Sequence, residues 1–254
     1  MSSSAPLGQI VWHDLFTPDV EASKRFYGDL FGFEYVIEHS TDFVWGGGPG
    51  DYVLMSDGAA AHSGIIGTPE NGRSGWLVYV AVGSVDEAAL RASASGGTVA
   101  RDPFHIPGVG RSCLVDDVHG AQIAPFVPSH SFPAPSGMFV WAELFTPDPV
   151  AVSPLYEAML DWRTHSPDHQ AERARRVFEA FEGDRVAGLS QTSEQDGLPA
   201  GWVPFLAVAS LDDAVDRAVS LGAQPLGGSV ILGDGRSAQV LQDPVGAVFG
   251  VVSA

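Results

Sequence analysis

The segment VWHDLFTPD at residues 11–19 recurs at residues 140–148 as VWAELFTPD. In the first copy we predict a β-strand at about residues 10–16, in which successive side chains point to opposite faces. We interpret Thr17 as the N-cap and Pro18 as the first-turn proline of a helix that follows this strand. The repeated segment therefore predicts the same strand-to-helix unit in two places.

The repetition continues outward from this segment along the chain. The matching pairs are WLVYVAVGSVDEA (76–88) with WVPFLAVASLDDA (202–214), and GRSCLVDDVHGA (110–121) with GRSAQVLQDPVGA (235–247). Internal repeats of this kind indicate duplicated structural units. We therefore predict one domain at residues 1–127, a Pro/Ser-rich linker at 128–137, and a second domain at 138–254.

Each half divides again into two modules. The first helix is predicted to end at Gly32, and short β-rich runs follow it. The second module repeats this plan, with a strand, the capping-box sequence SVDE at 84–87, a helix and further strands. The Gly-rich run at 46–50 is predicted to be a hairpin loop. The fold class is therefore α+β, with a βαβββ order repeated four times.

Composition excludes several classes of function. A net charge of −18 makes a nucleic acid or an anionic membrane an improbable partner, because both carry negative charge. The lone Cys113 excludes an intrachain disulfide. The sequence shows no secretory signal and no apolar run of membrane-spanning length. We expect a cytoplasmic protein that is a monomer or a homodimer.

Two further segments carry a family resemblance: FYGDLFGF (26–33) closes the first helix, and DPVGA (243–247) precedes the last strand. Together with four βαβββ modules they resemble the vicinal oxygen chelate superfamily of glyoxalase I, bleomycin-resistance proteins and extradiol dioxygenases. Within it the chain is similar to two-domain, glyoxalase-like proteins of actinobacteria. The resemblance implies two glyoxalase-like domains whose modules form half-open β-cups. It leaves open whether module 1 pairs with module 2 or with module 4.

The resemblance also implies a divalent metal in each functional cup, held by His or Gln on the first strand, His on the partner strand, and Glu. At or near these positions the chain has side chains that do not bind divalent cations: Trp12, Leu77 and Ala124, and Trp141, Val203 and Gly250. No Asp or Glu occurs at 59–69 or 185–193. We therefore expect no metal and no other cofactor.

Histidines offer little replacement for the missing ligands. His13 alternates with its neighbours and should point away from the cup, under the helix. His62 together with Asp14 supplies two ligands, which is too few for a tight metal site. His105 should lie in a loop near the cup rim.

Strand alternation places Trp12, Asp14 and Phe16 on one face, and Trp141, Glu143 and Phe145 on the equivalent face of the second half. An acid between aromatic side chains inside a cup suits a flat, partly apolar ligand that carries a hydrogen-bond donor. Arg111 and Arg236 are the expected partners of the two acids, either in a packed core or as ligand-binding residues. Both interpretations of the acids remain open.

Two classes of function follow. The first is a metal-independent protein that binds or sequesters an aromatic or polyketide-like small molecule, as bleomycin-resistance proteins do. The alternative is an enzyme, namely a lyase, isomerase or tailoring oxygenase or hydroxylase, that uses Asp14 or Glu143 as acid or base or has a divergent metal site. Binding requires fewer coincidences and is therefore favoured.

Overall fold

The computed structural model describes residues 7–254 with the exception of residues 59, 71, 73, 130–137, 167–174 and 181–182. Most of the predicted linker lies outside the described residues. The division into domains at residues 127 and 138 therefore stays a prediction.

The first half contains two βαβββ modules in sequence. Its elements are β1 (Ile10–Thr17), α1 (Val20–Phe31), β2 (Glu34–Phe43), β3 (Gly48–Ser56), β4 (Ala61–Gly67), β5 (Gly75–Ala81), α2 (Val85–Ala94), β6 (Thr98–Ile106), β7 (Gly110–Asp116) and β8 (Gln122–Pro128). The predicted hairpin loop at 46–50 forms the turn between β2 and β3 and the first residues of β3.

The second half repeats this order. Its elements are β9 (Phe139–Thr146), α3 (Pro149–Leu160), β10 (Arg163–His165), β11 (Arg175–Glu179), β12 (Arg185–Gln191), a short 3-10 helix (Glu194–Asp196), β13 (Gly201–Val208), α4 (Leu211–Ser220), β14 (Gln224–Ile231), β15 (Ser237–Gln242) and β16 (Val248–Ser253). The predicted α+β class with four βαβββ modules is confirmed.

Each half forms one eight-stranded mixed sheet. The strand orders are β2-β3-β4-β1-β5-β8-β7-β6 and β10-β11-β12-β9-β13-β16-β15-β14, so the two sheets have the same topology. The first strands of two successive modules pair antiparallel at the centre of each sheet, β1 with β5 and β9 with β13. Module 1 therefore shares its sheet with module 2, and module 3 with module 4.

The helix start differs from the prediction by two residues. Asp19, not Thr17, is the N-cap of α1, and its carboxylate accepts a hydrogen bond from the Ala22 backbone N–H at 2.9 Å. Asp148 caps α3 in the same way and is followed by Pro149 in the first turn. The assignment of Thr17 and Pro18 was wrong because an Asp side chain satisfies the free N–H groups of the first turn equally well. The predicted end of α1 at Gly32 is confirmed, with a left-handed φ of 76°.

The helices lie between the two sheets, in cores that both halves share. One core joins α2 and α3, and another joins α1 and α4. Two reciprocal hydrogen bonds link the halves, from the Tyr27 hydroxyl to Asp243 (3.0 Å) and from the Tyr156 hydroxyl to Asp117 (3.1 Å). Because the helices cover one face of each sheet, the opposite face is left to form a cup.

No helix among the described residues is long and apolar enough to cross a membrane.

Candidate ligand-binding site

The first cup is the concave face of the first sheet on which Trp12, Asp14 and Phe16 lie. These three side chains alternate with His13 and Leu15, which face the helices, as predicted. The apolar side chains that pack together in the cup are Leu77, Tyr79, Ala124 and Phe126, with Val11, Trp12, Phe16, Trp45, Ile106 and Leu114 partly buried against them. The cup is therefore lined mainly by aromatic and aliphatic groups around one acid.

Asp14 is held by three neutral donors. Its Oδ1 accepts hydrogen bonds from the Tyr52 hydroxyl at 2.6 Å and from the Trp12 Nε1–H at 3.0 Å. Its Oδ2 accepts one from the Tyr79 hydroxyl at 2.7 Å. The acid is 3% exposed, so these donors replace most of the water that would otherwise solvate it.

Burial dominates the protonation equilibria of this cluster. It raises the pKa of Asp14, and the three hydrogen bonds to the carboxylate offset part of that rise. The pKa values of Tyr52 and Tyr79 lie well above the usual tyrosine value, because of burial first and the negative charge of Asp14 second. Both hydroxyls therefore keep their protons at neutral pH and act as donors to the acid.

A glycine beside the acid makes room for this arrangement. Gly64 on β4 is the register partner of Asp14, and a Cβ there would collide with the Tyr52 hydroxyl. Gly188 on β12 holds the equivalent place beside Glu143, and a Cβ there would collide with the Glu143 carboxylate. Sequence reasoning missed both glycines, although aligning the fourth strands of the two halves would have shown them.

The rim of the first cup carries a cation between aromatic rings. The Trp45 ring, in the β2–β3 turn, lies edge-on to Phe16 at a centroid distance of 5.1 Å. The Arg101 guanidinium carbon lies 3.7 Å from the Phe104 ring centroid and 5.1 Å from that of Trp45. Its Nη2 donates a hydrogen bond to the Val44 carbonyl at 2.9 Å. The sequence analysis did not single out Arg101, because β6 contains two irregularities that obscure its alternation.

The second cup is the equivalent face of the second sheet, around Trp141, Glu143 and Phe145. Glu143 Oε2 accepts hydrogen bonds from the Trp141 Nε1–H at 2.7 Å and the Gly233 backbone N–H at 3.1 Å. Its Oε1 accepts one from the Ser190 hydroxyl at 2.5 Å. Burial is complete and raises the pKa of Glu143 to about 7, while the three hydrogen bonds act in the opposite direction.

The aromatic side chains of the second cup are more deeply buried than those of the first. Trp141 and Phe145 are buried, whereas Trp12 and Phe16 are partly exposed. The side chains packed into it are Trp141, Phe145, Val177, Val203, Phe205, Leu232, Ala238, Val240 and Val252. The turn at 232–236, between β14 and β15, lies over the acid and supplies the Gly233 donor. We call this turn the plug.

The arginines predicted to pair with the acids do not do so. Arg111 forms an ion pair with Asp86 at 2.7 Å, on the helix side of β7, because it lies on the same face of the strand as the core residue Cys113, whereas Leu114 on the other face lines the cup. Arg236 forms an ion pair with Asp234 at 2.6 Å within the plug. The predicted pairing was therefore wrong for both. Neutral donors solvate each acid, which leaves no need for a cation.

The histidines also lie outside the cup floor. His13 is buried on the helix side as predicted, and its ring stacks on Phe139 at 4.1 Å. Burial lowers its pKa to about 3, so it stays neutral. His62 packs against Phe33 at 4.6 Å and its Nδ1 lies 2.8 Å from the Ser63 hydroxyl. His62 therefore does not join Asp14 in a two-ligand site. His105 is exposed on β6.

Comparisons with known proteins match both halves to one family. The sequence model of the Glyoxalase/Bleomycin resistance protein/Dioxygenase superfamily matches residues 7–124, and that of the Glyoxalase-like domain matches residues 140–252. "Putative glyoxylase CFP32" of Mycobacterium tuberculosis is 30% identical over 249 residues, which are 95% of this chain and 93% of that protein. The chain belongs to the glyoxalase/bleomycin resistance protein/dioxygenase superfamily. The predicted resemblance is confirmed.

Two other similarities are informative. "Anthracycline biosynthesis protein DauV" of Streptomyces sp. (strain C5) is 30% identical over 271 residues, covering 99% of this chain and 95% of that protein. The Mn(II)-bound glyoxalase from Novosphingobium aromaticivorans superimposes with a TM-score of 0.61 at 16% identity, covering 97% of this chain and 82% of that structure. At that identity the structural similarity shows the fold alone.

The residues of the two cups do not fit the metal found in that superfamily. At the expected first-strand and partner-strand ligand positions, the structure places Trp12 opposite Tyr79 and Leu77 opposite Asp14, and it places Trp141 opposite Phe205 and Val203 opposite Glu143. Each cup floor contributes one carboxylate, and it is already surrounded by hydrogen-bond donors. Within the described ranges no group of three or more His, Cys, Asp or Glu side chains is arranged to hold a metal ion. Known zinc and non-haem iron sites need three or more such ligands.

Proposed function

We propose that the protein binds a planar aromatic or polyketide-like small molecule in the first cup and does so without a metal. The observation that carries this proposal is the aromatic-lined cup, in which the half-buried Trp12 and Phe16 lie on the same face as Asp14. Small-molecule sites are concave and mostly apolar, with a few polar groups that orient the ligand. The first cup has this composition.

The partly exposed rings explain why a ligand would bind with useful affinity. Trp12, Phe16 and Trp45 lie around the opening and are only partly buried. A flat ligand that covers roughly 200 Å² of apolar surface would gain about 5 kcal/mol, at about 25 cal/mol per Å², before the cost of its immobilisation. The second cup offers no such surface, because Trp141 and Phe145 are already buried. We therefore assign binding to the first cup.

The polar groups define what the ligand should present to the floor. The Tyr79 and Tyr52 hydroxyls donate their protons to Asp14, so the atoms left to face a ligand there are acceptors. A ligand hydroxyl would donate to them. The names of DauV and of DnrV, another relative, place those proteins in anthracycline biosynthesis, and anthracyclines are planar, hydroxylated polycyclic aromatics. Their similarity to this chain supports a ligand of that shape.

A cofactor-free enzyme that uses Asp14 as acid or base is the second candidate. The raised pKa of Asp14 favours it, because a general base works best when its pKa lies nearer to the working pH. The name of CFP32 also points to a reaction. Against it, both carboxylate oxygens of Asp14 are engaged by neighbouring donors. Binding therefore remains the favoured proposal.

The test is titration of the chelator-treated protein with 1,4-dihydroxyanthraquinone, followed by calorimetry and tryptophan fluorescence. We expect one binding site per chain and a loss of affinity of at least about tenfold in Trp45→Ala. Leu90→Ala is the control, since Leu90 is 72% exposed on α2, away from the cup. Absence of binding, or equal affinity in Trp45→Ala, would refute the proposal. Turnover of the bound compound, abolished in Asp14→Asn, would favour the enzyme.

A further inference from the structure

Arg101 has an environment that the aromatic cup alone does not explain. It lies on β6, opposite Leu114 of β7, and Leu114 lines the first cup. Its guanidinium lies over the Phe104 ring and close to Trp45, which is part of the cup lining. Arg101 therefore places a positive charge at the edge of the proposed ligand site.

This charge has no carboxylate partner among the residues that the structure describes. Arg101 takes part in none of the ion pairs there, whereas Arg111 on the neighbouring strand is paired with Asp86. Its hydrogen bond goes to a neutral carbonyl, that of Val44. Partial burial lowers the pKa of Arg101, so the site holds a cation at an energetic cost. An anion beside it would offset that cost.

The guanidinium is also held in a fixed orientation. The Val44 carbonyl fixes one nitrogen, and the Phe104 ring fixes the plane from one side. An arginine carries five N–H groups, so donors remain for a second partner. A preorganised guanidinium of this kind binds carboxylate or phenolate oxygen more strongly than it binds a neutral acceptor.

Arg101 and Asp14 are separate elements of the cup. The charge of Arg101 acts on Tyr79, whose pKa it lowers slightly against the effects of burial and of Asp14. Burial raises the pKa of Asp14, and hydrogen bonds from Tyr52, Tyr79 and Trp12 lower it. The Tyr79 hydroxyl donates a hydrogen bond to Asp14 at the floor, while Arg101 offers donors beside Trp45 and Phe104 at the rim. A ligand that spans both would carry a hydroxyl at one end and an anionic oxygen at the other.

We propose that Arg101 is the anion-recognising residue of the first cup, and that its ligand is a planar aromatic compound bearing an anionic oxygen group. This inference rests on the proposed binding function and adds a chemical class to it. It also explains how a protein of net charge −18 attracts an anion, since the cation lies in an apolar setting where its charge is weakly screened.

Two probes of nearly the same shape, one anionic and one neutral, test the inference: 9,10-anthraquinone-2-carboxylate and 9,10-anthraquinone-2-carboxamide. We expect the wild-type protein to bind the carboxylate at least about tenfold more tightly than the amide. Arg101→Gln keeps a donor for Val44 and removes the charge, so it should bind both probes equally. Arg101→Lys keeps the charge and should retain part of the preference. Arg25→Met removes an exposed charge on α1 and should leave the preference unchanged.

The outcomes separate the two proposals. Equal binding of both probes by the wild-type protein, or an unchanged preference in Arg101→Gln, would overturn the role of Arg101 and leave aromatic binding intact. Binding of neither probe, together with no binding of 1,4-dihydroxyanthraquinone, would overturn the proposed function itself and the inference with it.

Discussion

The two cups start from the same nine-residue segment and differ in how the acid at the floor is hydrogen-bonded. In the first cup two of the three donors to Asp14 are tyrosine hydroxyls, from Tyr52 and Tyr79, and the Tyr79 ring packs among the apolar side chains of the cup. In the second cup the donors to Glu143 include the Ser190 hydroxyl and the Gly233 backbone, and the plug lies on the acid. The side chains around Asp14 include the half-buried Trp12 and Phe16, whereas the equivalent Trp141 and Phe145 beside Glu143 are buried.

This difference assigns distinct roles to the same repeated position. In the proposed function, Asp14 keeps aromatic groups oriented around the ligand site. Glu143 joins β9, β12 and the plug through hydrogen bonds and is fully buried. Matched substitutions in the two cups therefore test most directly whether Asp14 and Glu143 have different roles.

The largest effect is expected from Gly188→Ala. The new Cβ would collide with the Glu143 carboxylate, which is fixed by three hydrogen bonds in a filled cup. Overpacking together with disruption of a buried acid should lower the free energy of unfolding by about 4 kcal/mol. Urea denaturation measures this loss.

Gly64→Ala is the matched control in the first cup. Its Cβ would collide with the ring and hydroxyl of Tyr52, a half-buried side chain that can yield more readily than the fully buried Glu143 carboxylate. A loss of about 1 kcal/mol is expected. Equal losses in the two variants would contradict the difference in packing between the cups.

The next effect concerns the pH dependence of stability. The folded-state pKa of Glu143 is raised to about 7 from an ordinary value of 4.5, so the folded protein binds the proton more tightly than the unfolded chain. The stability that protonation of Glu143 contributes is therefore fully present below pH 4.5 and is lost as pH rises through about 7. Between about pH 5 and pH 8 the loss should be on the order of 3 kcal/mol from this residue.

Glu143→Gln removes that titration. Relative to wild type, the variant should gain stability steadily as pH rises from about 5 to 8, as followed by denaturation at each pH. A constant difference between the two proteins across this range would show that Glu143 is not protonated preferentially in the folded state.

Particular residues show how much of the fold and of the candidate site could be predicted from the sequence. The repeated segment and its alternation predicted both sheets, and they placed Trp12, Asp14 and Phe16 together. Tyr52, Tyr79 and Arg101 were not identified, because they come from three other strands whose register the sequence does not reveal. The arginine pairing was wrong for a related reason. Nothing in the sequence indicated that neutral donors would satisfy the acids.

A smaller effect is expected from Asp14→Asn. Breaking a buried ion pair costs roughly 3 kcal/mol or more. Asp14 neutralises no arginine, so its replacement should lower the free energy of unfolding by less than about 1 kcal/mol. The affinity for 1,4-dihydroxyanthraquinone should nevertheless fall about tenfold, because an NH2 donor replaces one of the two oxygens that accept from Tyr52 and Tyr79. Calorimetric titration and thermal unfolding of the same sample separate the two. A variant that melts early and binds normally would make Asp14 a purely structural residue.

The smallest effect is expected from removing metal. Brief chelation should change neither thermal stability nor ligand affinity, and metal analysis after reloading should find no stoichiometric transition metal. The reason is that the expected ligand positions are held by Trp12, Leu77 and Ala124, and by Trp141, Val203 and Gly250. One tightly held Zn, Ni, Fe or Mn ion per chain, with binding or turnover restored by that ion, would contradict this.

The central claim is that the first cup is the ligand site and the second is a filled counterpart. A crystal structure of the protein with 1,4-dihydroxyanthraquinone tests it most directly. The account predicts one molecule per chain, in contact with Trp12, Phe16 and Trp45, and an undisturbed plug over Glu143. A molecule bound beside Glu143 with the plug displaced, and none in the first cup, would contradict it.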